Sequence, residues 1–216
     1  MNKLPLSLSV LLFPFAAAAS EAEFNANRAA WDSINLSAAY DAGLSGKDVT
    51  VAVIDNGFLP THQEFAGETG EGKKKFYLTG AFTQNHGTSV AAIIAAAQND
   101  LGMQGVAYNA GILAFAALDI GTDEGKPSSC TSCSSTDYIL EFLAGDAYKD
   151  IKIINASWGD TTVDSDVTAA LKKIPDKLLI AAAGNEMTLN PVYPALTPKD
   201  EPTLKNVISV VAFDPS

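Results

Sequence analysis

Residues 49–57 read Val-Thr-Val-Ala-Val-Ile-Asp-Asn-Gly, an apolar, β-branched run that ends in an acid and a turn. A run of this kind, without polar alternation, is typical of a strand buried on both faces. Further apolar runs occur in 110–120, 151–157, 178–183 and 207–213, and helix-compatible stretches in 26–42, 87–98, 137–148 and 164–174. Strands that alternate with helices predict an α/β fold around a mostly parallel sheet.

Charge and composition narrow the classes of partner. The 216 residues include 14 Lys and Arg against 25 Asp and Glu, which gives a formal net charge of −11. Binding to phosphate backbones requires a basic face, so we predict no nucleic-acid partner. With 47% hydrophobic and 18% charged residues, the composition is that of a globular domain.

The first nineteen residues have the layout of a secretory signal peptide. Lys3 precedes an apolar run over 4–15, and Ala17 and Ala19 form an A-x-A cleavage site. The run is too short to span a bilayer, and two prolines interrupt it. We therefore expect a secreted, periplasmic or extracellular protein without a transmembrane segment. Small polar residues over 20–27 predict a flexible start to a leader at 20–35, followed by a catalytic domain over 36–216.

Two cysteines, Cys130 and Cys133, form a C-x-x-C pair among Ser and Thr residues. Zinc would need further ligands, for which the chain offers only His62 and His86. A redox pair normally opens a helix, which this sequence does not favour. Because export implies an oxidising compartment, we favour a small disulfide between the two and predict no metal site.

Candidate reactive residues follow the predicted strands, where ligands bind in sheets of this type. Asp55 ends the first strand, His86 opens a helix, and Asn185 follows the strand at 178–183. An aspartate can orient a histidine base, and a carboxamide can donate to an oxyanion. Each residue also has a common alternative: a turn aspartate, a core or capping histidine, and a Gly-Asn loop pair.

The flanking sequences resemble the subtilase family of serine proteases from about residue 36 to the end. The similar segments, in family order, are Val51-Ala52-Val53-Ile54-Asp55-Asn56-Gly57, His86-Gly87-Thr88-Ser89-Val90-Ala91, Ile153-Ile154-Asn155-Ala156-Ser157-Trp158-Gly159 and Ala181-Ala182-Ala183-Gly184-Asn185-Glu186. Tyr193-Pro194-Ala195 and Val207-Ile208-Ser209-Val210 continue the pattern.

This resemblance implies a three-layer fold and peptide-bond hydrolysis by an Asp-His-Ser triad. Asp55 would orient His86, His86 would act as base and then acid, and Asn185 would donate to the oxyanion. The substrate, a peptide or protein, would lie between two walls formed by Ser157, Trp158 and Gly159 and by Ala182, Ala183 and Gly184. No cofactor is implied; a structural calcium is consistent with the family, but the sequence alone does not locate its ligands.

Three departures from the family pattern qualify this expectation. The family's nucleophile segment, Gly-Thr-Ser-x-Ala-x-Pro, does not follow the last strand, and the sequence given ends at Asp214-Pro215-Ser216. Ser89 fits the start of that pattern but belongs to the histidine segment. Asn56 stands where Thr or Ser is usual, and Asp160 replaces a usual Gly. We therefore expect a fold incomplete at its C-terminus and inactive alone. The alternative is an inactive secreted fragment or pseudoprotease that acts as a binding module.

Overall fold

The computed structural model describes residues 17–65, 75–77, 85–116, 139–140, 148–187 and 189–212. In these residues the strands are β1 (Thr50–Asp55), β2 (Lys75–Tyr77), β3 (Gly111–Ala116), β4 (Ile153–Ala156), β5 (Leu178–Ala182) and β6 (Val207–Val210). The helices are α1 (Ala17–Ala26), α2 (Arg28–Ser33), α3 (Leu36–Asp41), α4 (His86–Ala95), α5 (Ser165–Lys173) and α6 (Thr197–Asp200). A 3-10 turn spans Gln63–Phe65.

The six strands form one parallel sheet in the order β2-β3-β1-β4-β5-β6. β1 lies inside it, and its side chains alternate between two cores. Val51 and Val53 pack with residues of α4, whereas Ala52 and Ile54 pack with residues of α5. Because both faces of β1 are covered, this strand must be apolar throughout, which explains its sequence pattern. The predicted α/β fold with a parallel sheet is confirmed.

Helix α5 begins and ends within one residue of the predicted range 164–174. The Asp164 carboxylate accepts the backbone N–H groups of Asp166 and Val167, both at 3.0 Å. These N–H groups have no partner inside the helix, so the cap fixes its start. Val167 and Leu171 are buried against the sheet. Local capping and apolar spacing therefore agree, and this helix was predictable.

The single helix expected over 26–42 is wrong, because the structure has two short helices there. Asn35 adopts a left-handed conformation with φ 53°, which interrupts the chain between α2 and α3. Trp31, Ile34 and Ala38 are apolar residues near helical spacing in this stretch, but only Trp31 is buried, and Ile34 is 58% exposed. Leu36 provides the second buried contact instead.

The flexible stretch expected at 20–27 is also wrong, because helix α1 covers almost all of it. Glu23 is only 3% exposed, and its Oε1 accepts the backbone N–H groups of Asn99 and Leu101, both at 3.0 Å. Phe24 packs edge-on against Tyr40, with 6.0 Å between ring centroids. Burial raises the pKa of Tyr40, whose hydroxyl donates to two backbone carbonyls. The segment is thus anchored to the body of the protein.

Several sequence-based expectations fall on other residues. Cys130 and Cys133, and most of the helix predicted at 137–148, lie outside the described residues. Within the described part of the chain, none of the helices has the length and apolar character needed to cross a bilayer.

We expect Glu23→Ala to destabilise the protein by about 1–3 kcal/mol. The substitution removes the buried carboxylate that accepts the backbone N–H groups of Asn99 and Leu101. Urea unfolding followed by circular dichroism measures the effect. Glu21→Ala in the same helix is the matched control, since Glu21 is exposed, and it should change stability by under about 0.5 kcal/mol. Equal effects of the two substitutions would show that the carboxylate does not anchor α1.

Candidate active site

Asp55 and His86 meet at the carboxyl end of β1. The distance between Asp55 Oδ1 and His86 Nδ1 is 2.7 Å, which confirms the predicted pairing. The same oxygen accepts the N–H of Asn56 at 2.7 Å. Asp55 is 1% exposed, whereas the His86 side chain is 54% exposed. Because Nδ1 is bound to the carboxylate, Nε2 is the ring nitrogen that can exchange a proton with a reacting group.

Backbone hydrogen bonds dock the start of α4 onto the loop after β1. Gly87 N–H donates to Asn56 O at 2.7 Å, and Thr88 N–H donates to Gly57 O at 3.1 Å. The Thr88 hydroxyl oxygen accepts the N–H of Leu59 at 2.8 Å. These contacts fix the helix start relative to β1 and so determine where the imidazole lies.

The close approach requires glycine at position 87. A Cβ there would lie 2.6 Å from the Phe58 ring and 2.8 Å from Asn56 O. Any larger residue would push α4 away from the strand. Asn85 occupies the expected N-cap position, but its side chain makes no capping hydrogen bond. Docking to the loop after β1, rather than a side-chain cap, therefore holds the helix start.

The predicted first wall, Ser157, Trp158 and Gly159, directly follows β4. The Trp158 indole Nε1 donates to Ile54 O at 2.9 Å, which ties the wall to β1. Within the described residues, the backbone N–H and C=O groups of Trp158 and Gly159 form no hydrogen bond. A Cβ on Gly159 would lie 2.2 Å from Val192. Ser157, the first wall residue, has an Oγ that accepts the Asn155 amide at 3.0 Å.

The predicted second wall, Ala182, Ala183 and Gly184, lies at the end of β5. Ala183 is held on both sides: its N–H donates to Val210 O at 2.8 Å, and its C=O accepts Val192 N–H at 3.0 Å.

Gly184 turns the chain out of the sheet with φ 98°, a conformation that favours glycine. A Cβ there would also lie 2.1 Å from the Glu186 carboxylate. The turn leaves Asn185 exposed at the same sheet edge as Asp55. Since β4 separates β1 from β5, the two strand ends are about 10 Å apart. A reacting carbonyl could therefore lie between the imidazole and the carboxamide.

A cavity of about 610 Å³ lies next to the β4 wall. Its lining consists of Ile139, Trp158, Gly159, Asp160, Thr162, Val163, Asp164, Ser165, Val167, Thr168, Tyr193, Pro194 and Thr197. The backbones of Asp160 and Tyr193 pair through two hydrogen bonds of 3.0 and 2.8 Å. The Tyr193 hydroxyl donates to the Asp200 carboxylate, and this contact raises the pKa of Tyr193.

The remaining candidate residues from the sequence, and the other buried carboxylates, lie away from the Asp55–His86 pair or play no part in it. His62 packs against Phe65, with 6.3 Å between ring centroids. Ser89 lies on α4, three residues after His86. No group of three or more His, Cys, Asp or Glu residues suited to a metal ion occurs within the described residues. The buried Glu23 and Glu64 carboxylates both accept backbone N–H groups of the loop after α4.

Sequence reasoning missed two supporting residues. The Trp158 indole was expected only to line the cleft, yet it also joins β4 to β1. Thr88 was noted only as part of the histidine segment, yet its hydroxyl helps to dock α4. One signal was available in the sequence for Thr88. It is a polar residue close to His86, in a segment that must pack against the loop after β1.

Comparison with known proteins agrees with this geometry. The model of the subtilase family matches residues 46–216. The Bacillus subtilis (strain 168) minor extracellular protease Epr is 32% identical over 165 residues, which are 75% of this chain and 24% of that protein. Subtilisin E of the same organism is 32% identical over 179 residues, 76% of this chain and 42% of that protein. The chain therefore spans less than half the length of these relatives.

Among solved structures, the prenylagaramide maturation protease PagA superposes with a TM-score of 0.60 at 23% identity, covering 83% of this chain and 59% of that one. This similarity shows the fold. The family match extends over most of the chain and contains every candidate site residue from Asp55 to Asn185. The chain belongs to the subtilase family of serine proteases.

Proposed function

We propose that this chain carries most of the catalytic apparatus of a secreted serine endopeptidase. The hydrogen bond between the Asp55 carboxylate and His86 Nδ1, with the imidazole half exposed, is the observation that carries the proposal. A buried carboxylate that accepts the Nδ1 proton leaves Nε2 as the acceptor nitrogen of the neutral imidazole, and the exposed ring can present that atom to a reacting group. This is the arrangement of a general base prepared for a hydroxyl nucleophile.

His86 has two successive roles. Its Nε2 removes the proton from a serine hydroxyl as that oxygen attacks the peptide carbonyl, and the imidazolium then protonates the leaving amine. The Asp55 charge stabilises the imidazolium and fixes the ring tautomer. A water molecule hydrolyses the acyl-enzyme by the same sequence of proton transfers. Side chains supply all of these groups, so the reaction needs no cofactor.

Asn185 and the two walls act on the substrate. The Asn185 carboxamide donates to the oxyanion that forms on the attacked carbonyl. The backbone groups of Trp158 and Gly159, which form no bonds within the described residues, pair with an extended peptide. Ala182, Ala183 and Gly184 leave room for a side chain opposite. The substrate is a peptide or a protein.

The nucleophile is the remaining requirement. A Gly-Thr-Ser-x-Ala-x-Pro segment does not occur in residues 1–216, and the relatives are more than twice as long as the matched region. We place the serine in sequence that follows residue 216 in the whole protein. The 216 residues alone would then bind substrate without hydrolysing it, which also describes the alternative of a binding module.

The coding sequence after codon 216 provides the direct test. We expect the reading frame to continue to Gly-Thr-Ser-x-Ala-x-Pro. The protein expressed from that frame should cleave an unstructured protein, and a fluorophosphonate should label the new serine. His86→Ala should lower kcat by a factor on the order of 10⁶, the loss known for subtilisin. Labelling of Ser89 in the 216-residue chain, together with cleavage, would instead make Ser89 the nucleophile.

The Asp55–His86 bond has a spectroscopic consequence in the 216-residue chain itself. We expect long-range ¹H–¹⁵N spectra at pH 8 to show His86 protonated at Nδ1, because Nδ1 must donate to the carboxylate. Asp55→Asn should disturb this tautomer, because a carboxamide can donate as well as accept. His62, the only other histidine, is the internal reference and should not change. An unchanged His86 tautomer in the variant would contradict the orienting role of Asp55.

For the whole protein we expect Asn185→Leu to lower kcat by about 10²–10³ with little change in KM, because the amide donor acts mainly on the transition state. Steady-state kinetics on a chromogenic peptide would measure both constants. Asn190→Leu, in the same exposed loop, is the control and should change kcat by less than threefold. A loss confined to KM would assign Asn185 to ground-state binding.

A further inference from the structure

We propose that the cavity beside the β4 wall accepts a lysine or arginine side chain of the substrate and that Asp160 selects for it. This inference rests on the proposed peptidase function, because it concerns the peptide that lies along Trp158 and Gly159. These two residues line the cavity directly. Alternate side chains of an extended peptide point to opposite faces, so a peptide paired with this wall directs a side chain into the cavity.

The shape of the cavity favours a long side chain. Its volume of about 610 Å³ lies in the range of pockets that enclose small ligands. Ile139 and Val167 are buried and provide apolar surface. Trp158 and Tyr193 add two aromatic rings to the lining. Such surfaces stabilise the methylene stem of lysine or arginine, and aromatic faces attract the charged end.

The charge of the cavity favours a cation. Asp160 and Asp164 are its charged lining residues, and none of the described lining residues is basic. Asp164 caps helix α5 through Oδ1, so part of its charge compensates the helix dipole. Asp160 is exposed, and its Oδ1 accepts Thr162 N–H at 2.7 Å. Its Oδ2 has no hydrogen bond within the described residues and can accept one from an ammonium or guanidinium group.

The local structure fixes the backbone of Asp160 in the cavity lining. Two backbone hydrogen bonds pair this residue with Tyr193, another lining residue. The Asx-type contact with Thr162 orients the carboxylate. A glycine, the usual residue at this position in the resembling family, would provide neither the charge nor this contact. The substitution therefore gives this chain a selectivity that the common fold does not require.

Peptide binding to the 216-residue chain tests the proposal without requiring hydrolysis. The probes are hexapeptides with blocked termini and otherwise uncharged residues, which carry lysine, norleucine or glutamate at each position in turn. The indole N–H resonance of Trp158 reports binding, and Trp31, the only other tryptophan, is the reference. At one position we expect lysine to bind about three- to tenfold more tightly than norleucine, and glutamate more weakly than both. Addition of 1 M NaCl should remove most of the preference.

Asp160→Asn should reduce the lysine preference to less than twofold, while the asparagine keeps the contact with Thr162 N–H. Asp166→Asn makes the same charge change on an exposed residue outside the cavity and should preserve the preference. Binding without a lysine preference at any position, or a preference that Asp160→Asn leaves intact, would overturn this inference and leave the peptidase proposal standing. Failure of every hexapeptide to shift the Trp158 resonance would count against both.

Discussion

The rest of the site depends on the docking of α4 against the loop after β1. Two backbone hydrogen bonds, from Gly87 to Asn56 and from Thr88 to Gly57, join segments that are about thirty residues apart in sequence. They require a residue without a side chain at position 87. Once this contact forms, the two backbones hold the Asp55 carboxylate and the His86 ring next to each other. Their hydrogen bond follows from these backbone positions.

The parallel sheet then brings the remaining groups to the same edge. All six described strands run in one direction, so their carboxyl ends, and the loops that follow them, lie together. β4 and β5 present the two walls of the cleft, and the Trp158 indole couples the first wall to β1. Asn185 reaches this edge because Gly184 permits a left-handed turn. The site is thus a property of the sheet edge rather than of any one loop.

Buried strands and capped helices could be predicted from sequence because local signals and tertiary packing agree there. β1 and α5 are examples, and the Asp55–His86 pairing followed from motif order. The sequence-based predictions failed where contacts between residues far apart in the chain determine the local conformation. Asn35 breaks a helix-compatible stretch, and Glu23 anchors a segment whose composition suggested flexibility. β2 has only three residues and pairs with β3 across a long sequence separation, so no local pattern identified it.

Helix α1 overlaps the signal-peptide cleavage site that the sequence predicts. It extends over Ala17–Ala26, so a cut after Ala19 would fall within its first turn. Peptidases bind their substrates as extended strands, and a folded helix conceals its peptide bonds from them. Removal of the predicted signal peptide would therefore have to precede the final winding of this turn. The shortened helix would then begin beside Glu21 and Glu23, whose negative charges suit the positive end of a helix dipole. Cleavage would in this way leave a helix whose first turn matches the helix dipole better than the first turn of Ala17–Ala26 does.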